Sequence, residues 1–586
     1  MISYKRRLAF FIMSVVVLIA TAFVSYKHPF QEKAYLHIAD TDGMSFSEPP
    51  GFYDEPFYLT IAAPSDEIYY TLDGSEPDKE SMRYDSPIYV YDRSADPNTN
   101  SMRDDVSIFF DDEKSELYRM CNVKEAVIPK YVPPKDNVSK CTTIKVAYYD
   151  KKGNRSRTVT GTYFVGQNRK DDETMIMSVV MDPGDLFDHD RGIYVMGKRG
   201  EEFWENVEKV TDDERQEMLT GRLDANYFGA GRDWEREAVC QLFKKGELTL
   251  NQKVGVRIQG GYSREFTPKS LRLYARQEYD GNKVIRTETD ESLCMDKLVL
   301  YNGGEDIYTK IKDPLMSDIC KDMDFVATEY KPCKLYLNGE YWGYYFLTDR
   351  YDRRYMHVRY GVDDDNVVLT KYGVLKEGTE KDLAGYEADM AFISTADMTD
   401  PANYEKAGEI VDIESFIDYF AAEIYIARWH DWPSNNYALW KTRRRDSGEY
   451  GDCRWRFILF DVNWGGMTYK DGDATRDTIA LTRQESPIFD NMLNNPGFRK
   501  AFIARLESMR EHEFAPERVS RMIDEYDTMM KGDIEEHFER FYGTDASRHY
   551  EEMEELKRFF NERHEYIPLM IEDNFGEAAD YPGVVD

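Results

Sequence analysis

The chain has 586 residues, and its 110 acidic side chains against 76 Lys and Arg give a formal charge of −34 at pH 7. That field opposes nucleic acid and anionic membrane surfaces, so no nucleic-acid partner is expected. Hydrophobic residues at 41% and aromatics at 14% exclude a largely disordered chain and suit β-rich structure with stacking pockets, spread over about two to four domains.

Lys5, Arg6 and Arg7 precede an uncharged run, Leu8 to Val24 (LAFFIMSVVVLIATAFV). As a helix this run spans roughly 25 Å, a little short of a ~30 Å hydrocarbon core but within the range of spanning helices. Ala20-Thr21-Ala22 offers a cleavage site, yet it lies inside the apolar run, which favours an uncleaved anchor over a cleaved signal peptide within residues 1–30. The basic residues ahead of the helix place the chain from about Lys27 onward outside the cytoplasm, membrane-anchored or secreted. Among the seven cysteines no C-x-x-C occurs, so a zinc knuckle or redox motif is not expected. Cys121 and Cys141 lie close enough in sequence for a disulfide; buried thiols are the alternative.

From 37 to 166 the pattern is short strands and turns: Phe57, Leu59 and Ile61 alternate, as do Ile144, Val146 and Tyr148, with turns at Asp73-Gly74 and Lys151 to Asn154. This predicts a β-sandwich. The stretch GFYDEPFYLTIAAPSDEIYYTLDGSEPD, with SPIYVYDRS and CTTIKVAYYDKKGNRSRTVTGTYFV, resembles the immunoglobulin-like domain at the C-terminal end of chitobiase-type hexosaminidases. The resemblance implies an accessory module, with cell-wall carbohydrate or envelope contact as its role. Asp73, Glu76 and Asp78 then read as turn formers. Residues 95–140 depart from the pattern as an acidic, loop-like insertion.

Beyond a charged linker at Arg169 to Glu173 the chain becomes mixed α/β. Val254, Val256 and Ile258 alternate along a strand that runs into Gly260-Gly261-Tyr262-Ser263-Arg264, and a second strand follows at Leu271 to Tyr274. Asp313-Pro314 opens a helix in the manner of a cap and a first-turn proline. Strands Lys334 to Leu337 and Tyr341 to Leu347 meet at Asn338-Gly339, a strong hairpin signal. A long apolar helix is predicted from about Ile413 to Trp429, and residues 487–575 read as nearly all helix.

The long helix ends in HDWPSNN. Asp431 and Asn436 stand five apart, the spacing of the protein-kinase catalytic loop, in which the Asp orients the acceptor hydroxyl and the Asn holds metal. A predicted hairpin follows: Tyr437 to Lys441, a turn, then alternating Trp455, Phe457 and Leu459 delivering Asp461. A carboxylate at a strand end facing another at a helix end suits Mg²⁺ on a triphosphate. With MSVVMDPGDLFDHDRGIYVMG, WERE, VRIQGGYSREFTPKSLRLYAR, LVLYNGGED, KDPLMSDI, YLNGEYWGYYFLTDRYD, HDWPSNNYALW and RFILFDVNWGG, residues 175–575 resemble the CotH kinase family, atypical kinases related to spore coat protein H.

The resemblance implies an α+β, two-lobed kinase-like domain that binds ATP with Mg²⁺ or Mn²⁺ and phosphorylates protein substrates on Ser or Thr. Gly260 and Gly261 would let backbone amides approach phosphates, with Arg264 either a further phosphate contact or the partner of an acid. Lys269 shares parity with Leu271 and Leu273 and is either the candidate cleft lysine, catalytic and cofactor-binding, or a solvated strand-end lysine; Asp318 is a candidate partner for it. Asp431 would be the catalytic acid or base, Asn436 and Asp461 the metal ligands. Two departures from the family pattern stand out: Asn463 where a second Asp is expected, and Asp349 in place of Glu. The former puts metal affinity in doubt. No H-E-x-x-H or G-x-S-x-G occurs, and Asp363 to Asp365 read as a solvated acidic loop before a Ca²⁺ site. The competing reading is a non-catalytic envelope-binding protein with an inert kinase-like domain. Because the sandwich carries no assigned catalytic residue, a chain beginning near Asp171 is expected to keep nucleotide binding.

Overall fold

The computed structural model describes residues 42–108, 113–122, 129–167, 174–287, 290–428, 432–466 and 473–576. The apolar run Leu8 to Val24 lies outside them. Among the described residues no helix is long and apolar enough to cross a membrane.

Strong period-2 alternation builds the first lobe. Strands β1 (Met175–Met181), β2 (Arg236–Lys244), β3 (Glu247–Ile258), β4 (Leu271–Tyr274), β5 (Lys297–Tyr301), β6 (Tyr330–Leu337) and β7 (Glu340–Asp349) close a barrel in the order β1-β2-β3-β4-β5-β7-β6. All pairs are antiparallel except β1 with β6, which closes the ring in parallel. Val254, Val256, Leu271, Leu273, Leu298 and Leu300 fill the interior. Asn338 and Gly339 form the β6–β7 turn with φ of 46° and 86°, the positive values that an Asn-Gly hairpin turn requires.

The N-terminal module is a five-stranded sheet (strands 51–53, 159–165, 142–148, 68–71 and 82–83, in spatial order) with two two-stranded ribbons. It is joined to the barrel by a shared apolar layer. Phe164, Cys141 and Val138 pack on Ile176, Phe243, Tyr336 and Tyr341, and this is why β1 is buried on both faces. Cys141 is a free buried thiol there, so no Cys121–Cys141 disulfide is formed with it; the side chain of Cys121 lies outside the description. The insertion also departs from its expected loop character. It carries helix α1 (Glu113–Asn122), and its Val106, Ile108, Tyr118 and Tyr131 enter the core of the barrel lobe. Glu340, at the hairpin tip, accepts hydrogen bonds from the backbone N–H groups of Thr99 (2.6 Å), Asn100 (3.2 Å) and Ser101 (2.8 Å). A buried carboxylate needs such donors, and here the insertion supplies them. These contacts tie the module to the barrel lobe.

The second lobe opens with a five-stranded sheet in the order Val326–Ala327, β11 (Arg456–Leu459), β10 (Ala438–Thr442), β8 (Val367–Lys371), β9 (Val374–Glu377). Between the lobes runs helix α2 (Lys312–Ile319), and against the sheet lies α3 (Ile413–Ile426), buried over nearly all its length. Five helices between Pro487 and Phe575 complete the lobe. The hairpin after α3 forms as the alternation predicts.

Candidate functional site

Sheet topology alone brings the site together. β8 runs antiparallel to β10, and β10 antiparallel to β11, so the end of β8, the start of β10 and the end of β11 share one sheet edge; Lys371 pairs with Ala438, and Ala438 with Ile458. Lys371, Asn436 and Asp461 therefore converge. Tyr372, Asn436 and Asp461 have φ of 57°, 51° and 57°, left-handed values that cost non-glycine residues energy and concentrate at functional sites. Arg428 locks the arrangement: it donates to the carbonyls of Asp461 (2.6 Å), Phe460 (2.9 Å) and Asn436 (2.9 Å), and its charge is met by Glu423 at 2.6 Å, both side chains fully buried. Tyr372 donates to Asn436 Oδ1 at 2.7 Å. Asp431 lies outside the described residues.

Asp313 enters this site from α2. It is not the cap expected from Asp313-Pro314, since the helix begins at Lys312 and the cap position is Ile311. Its Oδ1 instead accepts the N–H of Val462 at 2.6 Å, and its Oδ2 accepts from Tyr301 and from Asn463 Nδ2, the latter at 3.2 Å. Burial, with Asp461 nearby, pushes its pKa up to about 6. Asn463 Nδ2 also donates to Asp461 Oδ1 at 3.2 Å, so the amide bridges two acids where a carboxylate would place a third negative charge. The Asn-Gly-Gly turn 302–304 closes in from the barrel. A Cβ on Gly304 would lie 2.6 Å from Asn463 Nδ2 and 2.7 Å from Tyr301 OH, so only glycine fits.

The cations of the barrel divide by parity. Lys269 does share its side with Leu271 and Leu273, but that side is the barrel interior. It is fully buried, donates to the carbonyls of Arg264 (2.8 Å) and Phe266 (3.3 Å), and lies 3.7 Å above the Tyr227 ring. Burial drives its pKa well down, against the pull of Glu265. Asp318 is not its partner; that carboxylate accepts from Tyr526 OH at 2.6 Å. Arg264 likewise serves the fold, donating to the carbonyls of Gly260 (2.8 Å), Phe228 and Gly229 (both 3.1 Å). Gly260 has φ of 119°, and a Cβ there would meet Ser263 Oγ at 2.5 Å, whereas Gly261 borders open space.

Arg272, of opposite parity, was not singled out by the sequence reading, and neither were Arg350 and Lys371. The signal for Arg272 was present: it alternates with Leu271 and Leu273 and so must leave the core face. Among the described residues none of these three cations has a carboxylate partner within ion-pair distance, although Arg257, directly opposite Arg272, is paired with Glu235 at 2.7 Å. Burial, then Arg350, lower Arg272 to about 10. Burial lowers Lys371 to about 8, with Arg350, Lys376 and Arg272 adding to the shift and Asp461 opposing it. Lys371 Nζ sits 4.0 Å above the ring of Phe460, next to Asp461. In a chain with a large excess of acids, three cations without a carboxylate partner among the described residues, gathered near Asp461, are a chemistry suited to an anion. Asp461 and Asn436 supply hard oxygen donors of the type Mg²⁺ accepts, while Asp313, whose oxygens are occupied, supports the segment behind them.

The Asp363, Asp364 and Asp365 cluster is exposed and partly neutralised, with Arg444 3.0 Å from Asp363 and Arg353 3.6 Å from Asp365. Asp349 is paired with Arg359 at 2.7 Å.

A family model described as CotH kinase protein matches residues 256–567, just over half of the chain, and a second, described as Fn3 associated, matches 57–163. The second match gives no support to a chitobiase-type identity for the N-terminal module. No curated protein matches the chain. The extent of the first match, over both lobes that meet at Asp461, shows that this chain belongs to the CotH kinase family.

Proposed function

We propose that the protein transfers the γ-phosphoryl group of ATP, with Mg²⁺ or Mn²⁺, to Ser or Thr hydroxyls of proteins outside the cytoplasm, where the Leu8 to Val24 segment delivers it. The observation that carries this reading is the set Arg272, Arg350 and Lys371, without a carboxylate partner among the described residues and facing Asp461. In it, the three cations hold the phosphate oxygens, and the backbone of Gly260-Gly261 borders them. Asp461 and Asn436 hold the metal, which neutralises charge on the transferring group. Asp431, on the same loop as Asn436, orients the acceptor hydroxyl and takes its proton. Asn463 keeps Asp461 in place by a hydrogen bond and adds no charge.

The test is transfer from labelled ATP by the purified chain with Mg²⁺ or Mn²⁺, to itself or to envelope proteins. Asp431→Asn is expected to retain Mg·ATP binding and to lose transfer by roughly 10²–10⁴-fold. Binding without any transfer by the wild type would make the protein a nucleotide-binding pseudokinase; no binding would leave the envelope-binding reading. For that contact the N-terminal module offers an exposed row of tyrosines, Tyr58, Tyr89 and Tyr91, with ring centroids 5.1 and 5.5 Å apart. Tyr58→Ala/Tyr89→Ala should release the protein from isolated cell wall if the row binds glycan, and unchanged retention would refute that role.

A further inference from the structure

The turn between β3 and β4 is fixed from three directions. From within, Arg264 folds back on the carbonyl of Gly260 and reaches those of Phe228 and Gly229. From the barrel end, Lys269 holds the carbonyls of Arg264 and Phe266. The third hold comes from outside the lobe. Tyr118, on α1 of the insertion, donates its hydroxyl hydrogen to Glu265 Oε1 at 2.8 Å, across 147 residues of sequence, and its oxygen accepts the N–H of Leu223 at 3.3 Å. Both Tyr118 and Glu265 are fully buried. Tyr118 packs with the core of the barrel lobe and has no place in the core of its own sandwich.

A surface insertion has no need of such a contact for its own stability. A buried carboxyl does need a donor, because an unsatisfied polar group in a low-dielectric interior is costly. Glu265 stands between Arg264, which clamps Gly260, and Phe266, whose carbonyl Lys269 holds. A displacement of Glu265 therefore moves the backbone that borders the cleft.

We propose that Tyr118 is a positioning residue for the nucleotide turn: through Glu265 it fixes Gly260 to Phe266, so the N-terminal module raises nucleotide affinity without touching nucleotide. This rests on the nucleotide-binding reading given above. It also turns an accessory module into a working part of the catalytic lobe.

The test uses the full chain with Tyr118→Phe, which deletes one oxygen and keeps the ring in the core. Amide hydrogen exchange across 260–266 should accelerate several-fold, ahead of the rest of the lobe, with only a modest fall in melting temperature from the donor that Glu265 loses. The KM for Mg·ATP should rise roughly fivefold with little change in kcat, the size expected from one hydrogen bond. Glu265→Gln, which keeps an acceptor for the hydroxyl, should show a smaller effect than Glu265→Ala. Wild-type exchange and wild-type KM in Tyr118→Phe would overturn the proposal, as would faster exchange spread over the whole lobe with a large fall in melting temperature. If the wild type binds no Mg·ATP, the proposed function fails on its own account, and exchange at 260–266 still decides whether Tyr118 fixes the turn.

Discussion

The two walls of the cleft use their charges in opposite ways. At the β3–β4 turn, the cations that the motif advertises are consumed by the protein: Lys269 and Arg264 each hold backbone carbonyls. At the facing sheet edge and along β4, Arg272, Arg350 and Lys371 have no carboxylate partner among the described residues; Arg350 lowers the proton affinity of Arg272, and both lower that of Lys371. Like charges are brought together at a cost, and the chain has acids to spare. The difference teaches that partner accounting, more than residue type or proximity to glycines, is what points to the proposed anion site.

The largest effect is expected where the comparison is broken outright. Asp461→Asn removes the carboxylate whose charge reaches Lys371, and metal-dependent ATP binding should disappear in a titration with Mg²⁺; retained binding would make that acid structural. Next in size, Arg428→Met removes the cation that meets the buried charge of Glu423 and unties the backbones of Asn436 and Asp461. Urea denaturation should register a loss of about 3–5 kcal/mol. A third pair sharpens the contrast between the walls. Arg272→Ala should weaken Mg·ATP binding about tenfold at an unchanged melting temperature, as loss of a charge-assisted contact does. Lys269→Met should instead cost about 1–3 kcal/mol of stability through the carbonyls it leaves. Reversed outcomes would restore Lys269 to the cleft.

The smallest effect is a pH limb. Lys371 is held near 8, below its usual value of 10.5, first by burial and then by Arg350, Lys376 and Arg272. It is cationic below that pH and neutral above it, so affinity for Mg·ATP should decline as pH rises through about 8. Lys371→Arg stays charged and should flatten the decline, measured as Kd between pH 7 and 9.5.

Much of the fold was legible because it rests on local rules. Alternation marked β3 and β4, Asn338-Gly339 marked the β6–β7 turn, and Asp461 fell at a strand end as the pattern Trp455, Phe457, Leu459 required. Asn436 and Asp461, expected to converge, do share one sheet edge. What failed depended on which face of an element meets what. Parity placed Lys269 correctly beside Leu271 and Leu273, but parity does not say that this side is the inside of a barrel. Asp313 read as a cap because Asp before Pro usually is one, and its role became visible only when Val462 arrived from 149 positions away. The insertion read as loop because it is acidic and departs from strand alternation; among its apolar residues Val106, Ile108, Tyr118 and Tyr131 dock. Asn463 looked like a lost charge until its amide was seen between two acids.

The central claim is that the cleft between Asp461 and the three cations holds a metal–nucleotide complex. Isothermal titration of ATP into the full chain, with and without Mg²⁺, tests it most directly when the wild type is compared with Arg272→Ala/Arg350→Ala/Lys371→Ala. The account predicts metal-dependent binding by the wild type and none by the triple variant, at similar melting temperatures; equal binding by both proteins, or no binding by a folded wild type, would contradict it.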